Sequence, residues 1–284
     1  VSVLDLSAVD YHADEIDDRP SLSASIACII CSKSPAHAQA AHPKLNPDFE
    51  QETSDAFDLG TVAHSLLLEG ESRVELILAD NWTTKLAREQ RTEAREAGLI
   101  PLLQKDADRV FAMVEAARVQ LGAHEAQPAL LTDGKPEQSL VWEDNGVLCR
   151  ARLDWLRDDH AAIDDYKTSQ SANPDWFARK GIYDHGYDVK AAFYLRAVKA
   201  VTGVDAEFRW IVQEKKPPYA LSVVSPGADV LALAAEKVSY AIDLWRGCLE
   251  NDAWPAYTTR VAYAELPGWE ETRWLEKTEM EKAA

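Results

Sequence analysis

The dipeptide Asn145-Gly146 stands between two apolar-rich runs, in EQSLVWED, then NG, then VLCRARLDWL, and no other stretch constrains the fold as tightly. A two-residue hairpin turn needs left-handed backbone at both positions, which Asn and Gly tolerate best, so the pattern predicts a β-hairpin. RDDH then reads as a turn and AAIDDYKTS as a further short strand. Three adjacent antiparallel strands are expected over this region.

The periodicity differs on either side. RPSLSASIACIICSKSPAHA offers a serine N-cap followed by a helical apolar pattern that ends near Pro35. AFDLGTVAHSLLLEG is expected to be a helix capped by Asp58 or Thr61 and stopped at Gly70. A helical region from Trp82 to Leu121 is broken by AGLIP, and residues 1–20 read as an irregular acidic approach. Beyond the strands, residues 187–202 return to helical spacing, with Gly203 as the stop. AEFRWIVQEK and PPYALSVVSP read as a second hairpin, ADVLALAAEKVSYAIDLWRGCLEN as a long amphipathic helix, and the remainder as a tail rich in Pro and Trp. The expected class is α/β, in one domain over 1–284. Within it, 1–135 is a mostly helical elaboration, and 136–284 holds the core with a C-terminal helix and tail.

No apolar run approaches the roughly 20 residues that span a bilayer, and VSVLDLSAVDYHADEIDDRP lacks the basic and apolar regions of a secretory leader, so a soluble intracellular protein is expected. Cys28, Cys31, Cys149 and Cys248 are too few for a disulfide framework in 284 residues. Cys28 and Cys31 lie inside an apolar run with no second close pair, which favours free thiols over a metal pair. The net charge of −18 argues against coating nucleic acid by bulk electrostatics. It leaves open a carboxylate site that meets phosphate through a bound cation.

Acid-x-lysine triplets occur four times, at Asp133, Asp165, Asp188 and Glu214, where composition alone gives about two. Context separates them. Strand period puts Asp165 and Lys167 on one face with Ile163, and turns Asp164 and Tyr166 to the other. Asp154 lies on the preceding predicted strand, and the RDDH turn brings it alongside Asp165. Two carboxylates with a lysine beside them suit one or two hard divalent cations with oxygen ligands, and Lys167 could orient a water or offset charge on a phosphate. Arg150 and Arg152 share the strand and face of Asp154 and are the expected phosphate contacts. Arg88, Arg91 and Arg95 form a second basic stripe, but Glu89, Glu93 and Glu96 interleave with it, as on a solvated helix.

RLDWL followed by AIDDYKTS resembles the paired motifs of the PD-(D/E)XK nuclease superfamily. LSASIACIICSKSPAHA, GTVAHSLLLEG, YDVKAAFYLRAV, CLENDAWPAY and AYAELPGW extend the likeness to the RecE-type exonuclease VIII branch of phages and prophages. The resemblance implies a restriction-endonuclease-like core, with a mixed, largely antiparallel central sheet flanked by helices. It also implies Mg²⁺- or Mn²⁺-dependent hydrolysis of DNA. Asp154 matches the first metal carboxylate, Asp165 the second, Lys167 the motif lysine and His64 the histidine near the metal. The backbone carbonyl of Tyr166 falls where a further oxygen ligand is often found. The family's Gln-x-x-x-Tyr helix pattern is here Lys190 to Tyr194, so a lysine that cannot accept a hydrogen bond replaces the glutamine. Resection of linear double-stranded DNA from its 5′ ends, a ring-shaped homo-oligomer, a single-strand annealing partner and a cytoplasmic setting in a bacterial host or phage-infected cell are likewise implied by the resemblance.

Overall fold

Asn145 and Gly146 both take left-handed angles, φ 49° and 78°, and the turn they make joins two eleven-residue strands. The computed structural model describes residues 2–4, 6–49, 55–70, 72–125 and 130–283. In chain order these hold β1 (Ser2–Leu4), α1 (Ala8–Ala13), β2 (Leu22–Ser23), α2 (Ala24–Ser32), α3 (Pro35–Ala40), α4 (Asp55–Leu68), β3 (Val74–Ile77), α5 (Lys85–Glu96), β4 (Ile100–Leu103) and α6 (Gln104–Gly122). Then come β5 (Gly134–Asp144), β6 (Val147–Arg157), β7 (Ala162–Ser169), α7 (Pro174–Trp176), a π-helical turn (Phe177–Gly181), α8 (Ile182–Asp184), α9 (Tyr187–Thr202), β8 (Glu207–Glu214), β9 (Leu221–Val224), α10 (Ala228–Asn251) and α11 (Gly268–Ala283).

The main sheet runs β1-β5-β6-β7-β8-β9, with β2 added beside β6. β6 is antiparallel to both of its neighbours, β5 and β7, as the sequence predicts. β7 and β8 are parallel, because α9 carries the chain back across the sheet between them. The sheet is therefore mixed and largely antiparallel, with helices on both sides. One apolar core joins α2, α9 and α10 to the sheet, where the Trp142 and Phe193 rings meet edge to face at 5.1 Å. A second joins α4 and α6 to Tyr166 and Ile211, and a small third gathers Ile77, Ala87 and Leu103.

α9 has the boundaries expected from its spacing, and Gly203 ends it at φ 78°. α4 begins earlier than expected, at Asp55, so Asp58 and Thr61 lie within the helix rather than before it. The AGLIP break holds β4, which pairs with β3 in a small parallel sheet, and the tail holds α11. Strands as short as β1 and β2 carry no readable period and are created by the edges they pair with. Cys28 and Cys31 are half-buried free thiols, donating to the carbonyls of Gly186 and Lys237. Arg91 of the basic stripe stacks on Trp82 at 4.9 Å. Among the described residues no helix is long and apolar enough to cross a membrane.

Candidate active site

β6 forks. Its N-terminal half pairs with β2 at Leu22↔Cys149 and Ser23↔Arg150, while its C-terminal half pairs with β7 only at Trp155↔Asp164 and Leu156↔Ile163. Continuing that last register sets Asp154 opposite Asp165, where the ladder has already opened. The freed backbone N–H of Tyr166 donates to Asp154 Oδ2 at 3.0 Å instead of to a strand carbonyl. The splay thus places both carboxylates in the fork with a side chain doing the work of the ladder.

On its other side β6 keeps one register with β5 along the hairpin, but pairing lapses at one position, between Pro136↔Trp155 and Gln138↔Leu153. The residues there are Glu137 and Asp154. Glu137 holds φ 53°, a left-handed conformation that costs a non-glycine residue on the order of 1 kcal/mol or more. Leu153 and Leu156 both enter the same core, which strict alternation forbids, so the strand turns at Asp154. Glu137, Asp154 and Asp165 therefore stand in one row across three strands.

Like charges opposite one another in a sheet repel, and here cations interleave with them. Arg152 donates to Glu137. His64 of α4 sits between Glu137 Oε1, 3.3 Å from Nδ1, and Asp154 Oδ2, 3.1 Å from Nε2. Lys167 Nζ lies 3.2 Å from Asp154 and 2.6 Å from Asp165, and 3.3 Å from the Tyr166 carbonyl. The order Arg152, Glu137, His64, Asp154, Lys167, Asp165 is an alternating array of charge.

The ionisations follow from this array. Burial opposes charge on Asp154, but Lys167 and His64 outweigh it and hold its carboxyl well below the usual range. Burial and then the charge of Asp154 push Asp165 up to about 6, despite Lys167. Burial disfavours charge on His64 and on Lys167 too, yet the carboxylates on either side raise both above their ordinary values. Glu137 is raised by burial, with Asp154 adding to the effect.

Glu137, Arg150, Arg152, Asp154, Lys167, Lys190 and Tyr194 line a cavity of about 570 Å³. Lys190 and Tyr194 lie one turn apart on α9, and the Lys190 ammonium is 5.8 Å from the Tyr187 ring centre, as is Lys167 from the opposite element. Burial raises the Tyr194 phenol well above its usual range. The Tyr166 ring points away into the α4–α6 core, where its hydroxyl donates to Gln213 at 2.6 Å, leaving only its backbone at the site. Asp164 also points away, accepting from Leu131 N at 2.8 Å and Arg209 Nε at 2.6 Å.

Arg150 is placed differently from the open phosphate contact expected of it. Its guanidinium is buried, 2.5 Å from Asp14 Oδ1, and donates to the Ser21 hydroxyl and carbonyl. Tyr11 and Asp14, from α1 and its C-cap, and Ser21 ahead of β2 pack on Arg150, so it reaches the cavity wall already paired and with 3% of its surface exposed. Arg152, nearer the turn, is committed to Glu137, the Leu6 carbonyl and Ser139. Glu137 was not singled out from the sequence, although the register about Asn145-Gly146 sets it opposite Asp154.

The donor set fits a divalent cation. Carboxylate oxygens of Asp154 and Asp165 and the Tyr166 carbonyl all lie within 3.3 Å of the Lys167 ammonium, and the imidazole of His64 is 3.1 Å from Asp154, so hard oxygen donors gather around a single cationic position. His64, Glu69 and Glu137 offer a second grouping, with one ligand atom each within 4.8 Å of the others.

Against known protein families, the model of a PDDEXK-like domain of unknown function, DUF3799, matches residues 27–267. The chain belongs to this family. The matched residues span β5, β6 and β7, the array and most of the two larger cores. A candidate exonuclease from Eubacterium rectale has a solved structure similar to it, with 17% identity, a TM-score of 0.59, and coverage of 95% of this chain and 98% of that one. That likeness shows the fold. A phage-related exonuclease from Haemophilus somnus 129PT matches at 11% identity over 82% of this chain and 96% of that one, with a TM-score of 0.32, too low to bear on the site. No curated protein matches the sequence.

Proposed function

We propose that this PDDEXK-like domain is a metal-dependent DNA exonuclease that hydrolyses phosphodiester bonds of linear double-stranded DNA. The observation that carries the reading is the alternating array from Glu137 to Asp165, of which Glu137, Asp154 and Lys167 stand on the wall of an open cavity. Asp154, Asp165 and the Tyr166 carbonyl would hold Mg²⁺ or Mn²⁺, with His64 beside them. A cation bound there supplies Lewis acidity toward the phosphate and lowers the pKa of water. Lys167, kept protonated by two carboxylates, offsets charge building on the phosphate or orients the attacking water. Glu137 and Asp154 hold the imidazole of His64 from both sides, which fixes its orientation. Lys190 meets phosphate as a point charge where the related pattern has a glutamine.

Polarity from the 5′ end, release of 3′ single strands to an annealing protein, and a ring-shaped homo-oligomer around the duplex extend the proposal, and the family resemblance supports them. The test is digestion of end-labelled linear duplex by wild type and Asp165→Ala, with Mg²⁺, with Mn²⁺ and with chelator. Metal-dependent loss of label in wild type alone is expected. Undiminished cleavage by Asp165→Ala would overturn the site. A covalently closed circle should survive; its cleavage would convert the reading to an endonuclease on the same core.

A further inference from the structure

The cavity that holds the array is lined by more than ions. Asp154, Lys167 and Lys190 reach it from β6, β7 and α9. Val9 and Ile26 reach it from α1 and α2, and Pro43 and Phe49 from the stretch after α3. Val9 and Phe49 keep 75% and 36% of their surface exposed. A phosphodiester has no use for such groups, and side chains this open add little to the core. Apolar side chains gathered open in a concavity, next to a few polar groups that fix orientation, are the composition of a small-ligand site.

His12, in the last turn of α1, lines the same cavity and is exposed. Its ring meets the Tyr11 ring edge-on at 5.3 Å, and the guanidinium carbons of Arg150 and Arg152 lie 5.4 and 6.0 Å from the centre of that Tyr11 ring. Tyr11 thus ties the imidazole to the strand that carries Asp154. Among the described residues the His12 ring nitrogens make no hydrogen bond, so one face and one polar edge of the ring are uncommitted. Lys190 likewise makes no ion pair among the described residues, whereas Arg150, Arg152 and Lys167 each have a carboxylate. The cavity therefore offers a free cation at the array and two flat rings, His12 and Phe49, in its apolar part.

We propose that the apolar part of this cavity seats the base of an unpaired terminal nucleotide, stacked on Phe49 and His12, while the phosphate meets Lys167 and Lys190. A nucleotide is divided as the cavity is, into an anionic phosphate and a flat, weakly polar base. The volume of about 570 Å³ is that of a small-ligand site. Stacking on rings is tolerant of sequence, since every base has a π-face. A base stacked and paired in a duplex cannot enter, so the terminal nucleotide must leave the helix, at a cost of a few kcal/mol that is least at a frayed or mismatched end. The inference rests on the nuclease reading for its substrate, but its test does not use cleavage.

Deoxyadenosine 5′-monophosphate, thymidine 5′-monophosphate and 2-deoxyribose 5-phosphate are titrated, with Mg²⁺ present, into wild type, Phe49→Ala, His12→Ala and Phe49→Tyr, and affinity is read by ligand-observed NMR. None of the three ligands contains a phosphodiester, so nothing is cut. Both residues are exposed, so the variants keep the fold, which a thermal melt checks. Wild type should bind both nucleotides roughly tenfold more tightly than the sugar phosphate. Phe49→Ala should bring the nucleotides down to the level of the sugar phosphate, His12→Ala should narrow the gap, and Phe49→Tyr should keep it. Affinity for the sugar phosphate should stay level throughout. Equal affinity of wild type for ligands with and without a base, no nucleotide binding by wild type, or a gap unchanged in both alanine variants overturns the proposal. Cleavage of linear duplex without base-dependent binding removes the base seat and leaves the nuclease. Base-dependent binding without cleavage does the reverse.

Discussion

Two buried clusters of opposite charges lie four residues apart on β6, and each contains a carboxylate, a cation and a histidine. Around Arg150, Asp14 gives one oxygen to the guanidinium and also accepts from Ser21 N and its hydroxyl, and none of Asp14, Ser21 and His42 is exposed at all. Around Asp154, the side chains of His64, Glu137, Asp154 and Lys167 keep 15 to 22% of their surface and Asp165 keeps 4%, and Glu137, Asp154 and Lys167 line a cavity. The histidines separate them further. His42 Nδ1 accepts the backbone N–H of Lys44 at 3.2 Å and its Nε2 donates to the Ser21 carbonyl at 3.0 Å, an arrangement only a neutral ring satisfies. His64 has a carboxylate at each nitrogen. The first cluster pairs Arg150 with Asp14 away from solvent, with Arg150 Nε left buried without a hydrogen-bond partner, and serves the fold; the second sets Asp154 and Lys167 on the wall of a cavity, with Asp165 behind them raised by burial and Asp154 to about 6. Access from the cavity, more than residue type, distinguishes them.

Exchanging the behaviour of the clusters would break this contrast. The largest effect is expected from Asp165→Ala, which should lower metal-dependent cleavage by about 10³-fold or more. Its melting temperature in chelator should stay level or rise, since a carboxylate facing Asp154 is gone. Asp14→Ala should act in the opposite sense. Removing one partner strands Arg150 in the interior at a cost of about 3–5 kcal/mol in urea unfolding, with cleavage per folded molecule retained. Asp164→Ala belongs with Asp14: although adjacent to Asp165, it should cost stability through Arg209 and Leu131, and its cleavage per folded molecule should far exceed that of Asp165→Ala. Equal loss of cleavage in the two would mean that both aspartates face the cation.

Glu137→Gln should weaken Mn²⁺ binding by roughly 10–100-fold in titration calorimetry, because His64 loses the carboxylate that orients it. The smallest effect is a pair of opposite titrations, read by NMR of the imidazoles in metal-free protein. Burial first, and then the nearby Arg150 and Lys44, hold His42 below 6.5 against the pull of Ser21 and Asp14, whereas His64 titrates above it. A depressed histidine leaves the unfolded chain binding more protons, so the His42 contribution is whole above about pH 6.5 and falls as pH drops toward its folded value. The His64 contribution is whole below about 6.5 and is lost as pH rises through its folded value. Both histidines titrating on the same side would remove the distinction.

Much of the site was legible because it depends on short-range rules. Strand period sent Asp165 and Lys167 one way and Asp164 and Tyr166 the other, and the structure keeps that division. His64 was legible only through family resemblance, since a histidine flanking an apolar helix face has no local mark. Glu137 was missed because strand period says nothing about cross-strand partners, although counting out from Asn145-Gly146 reaches it. Arg150 lines the pocket but is also paired with Asp14, a partner that strand period does not reveal because it assigns a face without saying what packs on it.

The sequence by itself determined the hairpin, the helix Tyr187–Thr202 and the separation of the two adjacent aspartates, all of which follow from backbone preferences acting over a few residues. Only the tertiary structure decided which ionic cluster is closed and which is open. That depends on β2 and α1 covering one half of β6 while β7 splays from the other, and a two-residue strand such as β2 exists only by virtue of the edge it meets.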